Sequence, residues 1–273
     1  MRIITPIWRS LRLTEHLLTG ATIAAVLSSA AGLGLIQGLP PRLVSWWHRR
    51  LCRALGMRIE IHGGPVPNAL LVANHCSWID IPVIGAQGPI GFLSKAEVRR
   101  WPLIGWMAGV AGTLFMTRGA NQAAEMVRLI EARLRAGGCI GVFPEGTTSD
   151  GSRLLRFHPR LLAAGQCEGV RVQPVALRFG TNEAPDPIAP FIGDDDLLSH
   201  LARLVRHPGL AARLHFLPSF DASGLSRREI AERCRSAIAA ALDLAPVPVP
   251  DEQSIAAAAQ SPDSATAPVP QPT

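Results

Sequence analysis

The chain has 273 residues, of which 48% are hydrophobic, and its mean hydropathy is positive. That length suits one large domain with attachments, and such hydropathy points toward membrane contact. Basic residues exceed acidic ones by six, but there is no tyrosine and no basic tract interleaved with aromatics, so a nucleic-acid partner is not expected.

The five cysteines (Cys52, Cys76, Cys139, Cys167 and Cys234) are odd in number and contain no C-x-x-C, which argues against a disulfide framework or zinc site and fits a reducing compartment. No H-E-x-x-H or comparable set predicts a metal. No G-x-S-x-G elbow, P-loop or dinucleotide fingerprint predicts a serine nucleophile or a bound cofactor.

In chain order, no Asp, Glu, Lys or Arg occurs between Glu15 and Arg42. Residues 16–37 are long enough to cross a bilayer as a helix; a signal peptide and a helix lying in the interface are the rival readings. "PPRLVSWWHRRLCRALG" follows. Trp46, Trp47, Leu51 and Leu55 share one side of a helix there and Arg49, Arg50 and Arg53 the other, as in an interfacial helix or an ordinary core-facing one. Residues 1–56 are therefore expected to form membrane-anchoring helices.

From Met57 the texture becomes globular. "MRIEIHG" alternates like a strand, while "ALLVAN", "CIGVF" and "VRVQPVALRF" read as buried strands; "IGFLSK" and "ARLHFLPSF" complete the set. "NQAAEMVRLIEARLRAGG" is a helix closed by Gly137-Gly138, and "SRREIAERCRSAIAAAL" opens with a capping box of Ser226 and Glu229. Strands interleaved with helices predict an α/β domain over 57–244. Residues 245–273 are Pro/Ala/Ser-rich and read as a disordered tail. That tail holds three acids and no base, so the body carries about +9.

Two constellations carry chemistry. In "LLVANHCSWIDIP" a buried strand stops at Asn74-His75, and Asp80 follows five residues later. On a regular helix residues five apart diverge, so His75 must lie in a turn and Asp80 at the start of a helix if they are to meet. A carboxylate touching the imidazole would fix its tautomer and sharpen its other nitrogen as a base. The competing reading makes both residues caps. In "GVFPEGTTSDG" a second buried strand runs into Pro144, Glu145 and Gly146 and then Thr147, Thr148 and Ser149. Exposed amides and hydroxyls there can hold a polar headgroup, or merely close a turn. Arg118, at the end of "TLFMTR", is able to grip a phosphate or carboxylate, or is simply a surface charge flanking the helix that follows.

Taken together, "NHCSWID", "GTLFMTR", "FPEGTTS" and "VQPVAL" resemble, in order and spacing, the lysophosphatidic acid acyltransferase-like glycerolipid acyltransferases. The likeness covers residues 55–220. "SKAEVRRWPLIG" is similar to that family's Lys-x-Glu segment. The resemblance implies a mixed, mostly parallel sheet flanked by helices. It also implies a membrane-bound enzyme moving a fatty acyl chain from acyl-CoA or acyl-carrier protein to a lysolipid hydroxyl, without an acyl-enzyme. His75 would be the base and Asp80 its orienting partner. Arg118, Glu145, Gly146, Thr147, Thr148 and Ser149 would bind the acceptor, and Pro174 would shape the acyl-donor side.

The expected acceptor is 1-acylglycerol-3-phosphate, giving phosphatidic acid, with a lyso-ornithine or other bacterial lysolipid as rival. The expected location is the bacterial inner membrane, catalytic domain on the cytoplasmic side. Two departures bear on the acceptor. Thr117 stands where an acid usually precedes the second motif's arginine. Thr148 replaces the arginine of Glu-Gly-Thr-Arg-Ser, leaving Arg153 or Arg156 to substitute. An inactive lipid-binding relative and a thioester hydrolase are the alternatives in function.

Overall fold

The computed structural model describes residues 4–35, 41–101, 103–116, 120–181 and 184–244. Two helices, α1 (Ile4–Gly32) and α2 (Pro41–Ala54), precede the strands β1 (Arg58–His62) and β2 (Ala69–Ala73). Then come α3 (Asp80–Gly85), β3 (Ile90–Lys95), α4 (Ile104–Val110), β4 (Leu114–Met116), α5 (Ala120–Arg135) and β5 (Cys139–Val142). The chain closes with β6 (Arg171–Phe179), α6 (Leu197–Arg206), β7 (Ala211–Phe216), β8 (Phe220–Asp221) and α7 (Arg227–Ala241).

The sheet runs β1-β7-β6-β2-β5-β3-β4, with β8 also pairing β6. β2 is parallel to β5 and β6, β3 to β5 and β4, and β1 to β7, while β7 and β8 run antiparallel to β6. This is the α/β fold with a mixed, mostly parallel sheet that the sequence predicts.

β2 shows why the central strands read as continuous apolar runs. Its side chains alternate between two faces, and helices cover both. Leu71 and Ala73 enter a core shared with Leu55 just after α2, Ile84 of α3 and Leu204 of α6. Leu70 and Val72 enter the opposite core, with Ile130 of α5, Ile238 of α7 and Leu162 from the turn of helix at 160–166. Leu70 and Leu71 are wholly buried, and each contributes about 1.5–3 kcal/mol over an exposed side chain.

Pro174 in central β6 has no N–H to give. It sits opposite Val72 at the gap where β7 hands over to β8, and its carbonyl takes the amide of Leu217. α6 is absent from the sequence reading although its signal is present. Asp196 caps it by accepting from the amides of Leu198 and Ser199, and His200, Leu204 and Val205 are buried along one face.

The bilayer-length reading of residues 16–37 is not met. Among the described residues no helix is long and apolar enough to cross a membrane. α1 carries Arg9, Arg12, Glu15 and His16 in its first half, and it packs against α2, α4 and α6. Some of its polar side chains contact the rest of the protein. Buried Arg9 donates to the carbonyls of Val205 and His207, Glu15 pairs with Arg50, and His16 stacks on Trp47 with ring centroids 3.5 Å apart. Its apolar side chains Trp8, Leu11, Leu18 and Val26 face outward instead. With Leu13 and Ala24 buried on the packed side, α1 thus carries apolar side chains on both faces, unlike a helix seated on a water-soluble protein. The tail expected at 245–273 lies outside the described residues.

Candidate active site

β2 and β5 are parallel neighbours, so their carboxyl ends open on the same rim of the sheet, where open α/β folds place their ligands. Asn74, directly after β2, fixes the exit. Its amide donates to the Leu177 carbonyl and accepts from the Leu177 amide, both at 2.8 Å, so a side chain supplies one more rung toward β6. The chain then turns through His75, Cys76 and Ser77, and α3 begins at Asp80.

Asp80 is completely buried, and its Oδ2 accepts three hydrogen bonds. The amides of Cys76 and Ser77 donate at 2.8 and 2.9 Å, and His75 Nδ1 lies at 2.7 Å. The capping and the catalytic readings of this pair are thus not exclusive. The carboxylate closes the turn and, through the same oxygen, seizes the imidazole. The ring of His75 lies flat against Phe143, centroids 4.1 Å apart and planes 18° from parallel, and its side chain is 19% exposed. With Nδ1 held by Asp80, Nε2 is the nitrogen left for a substrate.

The second motif meets the first through Glu145. One carboxylate oxygen accepts the amide of His75 at 2.8 Å and the other accepts the amide of Leu155 at 3.0 Å. Burial raises the pKa of this carboxyl, and the two amides of His75 and Leu155 pull it back down. Ser149 binds the other side of the same residue, its amide donating to the His75 carbonyl at 2.9 Å. Gly146 turns the chain at φ +70°, with its own amide on the Phe143 carbonyl. Thr147 is exposed on the turn. The Thr148 hydroxyl donates to the Phe191 carbonyl. Glu145, Gly146 and Ser149 therefore build the frame around His75. Arg118 lies outside the described residues.

Cys76, next to the base, is no nucleophile. Burial first, and then the carboxylates of Asp80 and Glu145, push its thiol far above the ordinary range, so thiolate is scarce. Among the described residues no group of three His, Cys, Asp or Glu side chains is placed to hold a metal ion.

Sequence reading misses several supports. Phe143 escapes because a strand-ending aromatic reads as core. The Leu155 amide escapes because a backbone donor leaves no mark in sequence. Trp78 donates through Nε1 to His200 Nδ1 at 2.9 Å, and His200 Nε2 meets the Ile188 carbonyl at 2.9 Å, so α6 braces the catalytic turn.

Comparison with known proteins agrees with this geometry. The acyltransferase family model matches residues 58–178. A lyso-ornithine lipid O-acyltransferase of Pseudomonas aeruginosa is 44% identical over 237 residues, covering 86% of this chain and 92% of that protein. A 1-acyl-sn-glycerol-3-phosphate acyltransferase of Neisseria meningitidis is 32% identical over 207 residues, covering 72% and 81%. The crystal structure of the 1-acyl-sn-glycerophosphate acyltransferase PlsC from Thermotoga maritima superposes with a TM-score of 0.62 over 91% of this chain and 100% of that one. At 21% identity that likeness shows the fold. With the family model on the sheet and the two motifs, and a relative at this identity along nearly its whole length, the chain belongs to the PlsC-like acyltransferase family.

Proposed function

We propose that this protein moves a fatty acyl chain from an acyl thioester to the hydroxyl of lyso-ornithine lipid. The reaction type rests on one observation, the 2.7 Å contact between His75 Nδ1 and buried Asp80. Nε2 of His75 takes the proton as the hydroxyl oxygen attacks the thioester carbonyl. Asp80 stabilises the imidazolium that forms. When the tetrahedral intermediate collapses, the C–S bond breaks and the imidazolium returns its proton to the leaving thiolate. Glu145, Gly146 and Ser149 hold the turn that presents His75. By the motif resemblance Thr147 and Arg118 would bind the acceptor, and acyl-CoA or acyl-carrier protein supplies the thioester.

The relatives favour lyso-ornithine lipid over 1-acylglycerol-3-phosphate, the acceptor that the motifs alone put first. Thr148 supports the same choice, because it departs from the arginine of the phosphatidic-acid-forming pattern and its hydroxyl is engaged by Phe191. Formation of phosphatidic acid is the second reading, supported by the 32% identical Neisseria relative.

The outward apolar face of α1, with exposed Trp46 and Trp106 on α2 and α4, supports a seat in one leaflet; the cytoplasmic face of the inner membrane is the side where the thioester donors are expected. Lipid profiles of cells with and without the gene test the acceptor. Loss of diacylated ornithine lipid with build-up of its lyso form supports this reading; a fall in phosphatidic acid alone supports the second.

A further inference from the structure

Residues 153–158 form a strap around the turn that follows β5. Leu154 and Phe157 are buried in the core on the α5 side and anchor it. The amide of Leu155 is tied to Glu145, whose other oxygen holds the amide of His75. The amide of His158 donates to the Pro144 carbonyl at 2.8 Å, and its ring lies over Gly146, where an added Cβ would meet Cδ2 at 3.4 Å. Two tie points, at 155 and 158, thus clasp residues 144–146, and Arg156 is carried between them.

Arg156 and His158 are both exposed. Among the described residues Arg156 has no hydrogen bond or ion pair. Arg153, the other nearby arginine of the strap, is engaged differently. It shares its field with Asp150, a carboxyl held below its ordinary range chiefly by the Ser152 hydroxyl and amide and further by Arg153. The position that could have carried a cation beside the catalytic turn is Thr148, which is neutral and bonded elsewhere.

We propose that Arg156, assisted by His158, binds the anionic group of the lysolipid headgroup and so sets the acceptor hydroxyl before His75. This rests on the reading that the protein acylates a lysolipid. The anion is the carboxylate of an ornithine headgroup or the phosphate of a glycerolipid, and a guanidinium forks onto either. The acceptor is favoured over the thioester by reach. Its anion lies only a few bonds from the hydroxyl that must touch Nε2, so its cation must stand beside the turn. The phosphates of CoA or of a carrier protein are a whole pantetheine arm away from the reacting carbonyl. The strap is separated from the His75 backbone by the width of one carboxylate.

The test is steady-state kinetics of the full chain in detergent or vesicles. Lyso-ornithine lipid and 1-acylglycerol-3-phosphate are compared as acceptors for wild type, Arg156→Ala, Arg156→Lys and His158→Ala. Arg156→Ala is expected to raise the KM of the acceptor by about tenfold, with kcat and the KM of the thioester near wild type, as loss of uniform binding requires. Arg156→Lys recovers part of the loss, and His158→Ala gives a smaller rise. The acceptor whose KM moves identifies the anion as carboxylate or phosphate. An acceptor KM within twofold of wild type in an Arg156→Ala/His158→Ala double variant overturns the proposal. If wild type acylates neither lipid, the functional reading fails, and equilibrium binding of the same two lysolipids then decides. Equal affinity of wild type and Arg156→Ala overturns the clamp, whereas weaker binding by the variant retains it. An unchanged unfolding temperature shows that the exposed substitution leaves the fold intact.

Discussion

Asp80→Asn separates the two tasks of the carboxylate at the centre of the site. In the native protein Oδ2 takes the amides of Cys76 and Ser77 and the imidazole of His75, while Oδ1 is buried without a partner. An asparagine oxygen can replace Oδ2 and keep both backbone amides bonded. Its NH2 then falls where Oδ1 was, dry and unpaired, at a cost of about 1–3 kcal/mol. The fold should survive with a lowered unfolding temperature. The negative charge that stabilises the imidazolium is gone. By analogy with aspartate-to-asparagine changes in catalytic triads, kcat should fall about ten-thousandfold, or about 5.5 kcal/mol of barrier. Asp80→Ala is less informative. It strips the acceptor from three donors at once, a loss comparable with a marginal protein's whole stability. The assay is turnover of lysolipid and acyl thioester beside thermal unfolding of the same sample. A folded Asp80→Asn protein with kcat within tenfold of wild type would refute the reasoning.

Glu145→Gln should leave the amide of either His75 or Leu155 without an acceptor, costing about 1–3 kcal/mol in denaturant unfolding. It should also flatten a pH dependence. Because burial raises the folded-state pKa of Glu145, the native protein binds more protons than the unfolded chain just above the ordinary carboxyl value of 4.5. Wild-type stability should therefore fall as pH rises through that window, and a variant with the same slope would contradict the assignment. Phe143→Leu keeps most of the volume but removes the ring beneath His75; a loss of about 0.5–1.5 kcal/mol predicts roughly a two- to twelvefold lower kcat, and unchanged kcat would deny the stack a role. Leu18→Glu, on the outward face of α1, should weaken co-sedimentation with anionic lipid vesicles without shifting the unfolding temperature. Undiminished vesicle binding would show that this face is not the membrane contact.

Much of this architecture is legible in the sequence, for reasons that differ by element. β2, β5 and β6 announce themselves because strands covered on both faces must be apolar throughout, and α7 because Ser226 and Glu229 form its capping box in the structure as they do in the pattern. His75 and Asp80 are legible as a pair because only a turn followed by a helix start lets residues five apart meet. The placement of α1 is not legible. A run without charges shows length and hydropathy, but not that Arg9, Glu15 and His16 anchor the preceding turns to α2 and α6. Thr148 illustrates a second limit. Its neutrality is plain in the sequence, but its engagement by Phe191, 43 residues away, is a tertiary fact. The same holds for the strap, since Arg153 and Arg156 look equivalent until the ties at Leu155 and His158 distinguish them.

The central claim is that the imidazole of His75 removes the proton from a lysolipid hydroxyl. Its most direct measurement is the rate of diacylated ornithine lipid formation by purified wild type and His75→Ala, given lyso-ornithine lipid and an acyl thioester. The expected result is steady turnover by wild type and none above background by a folded His75→Ala protein. Equal turnover by the two would contradict it.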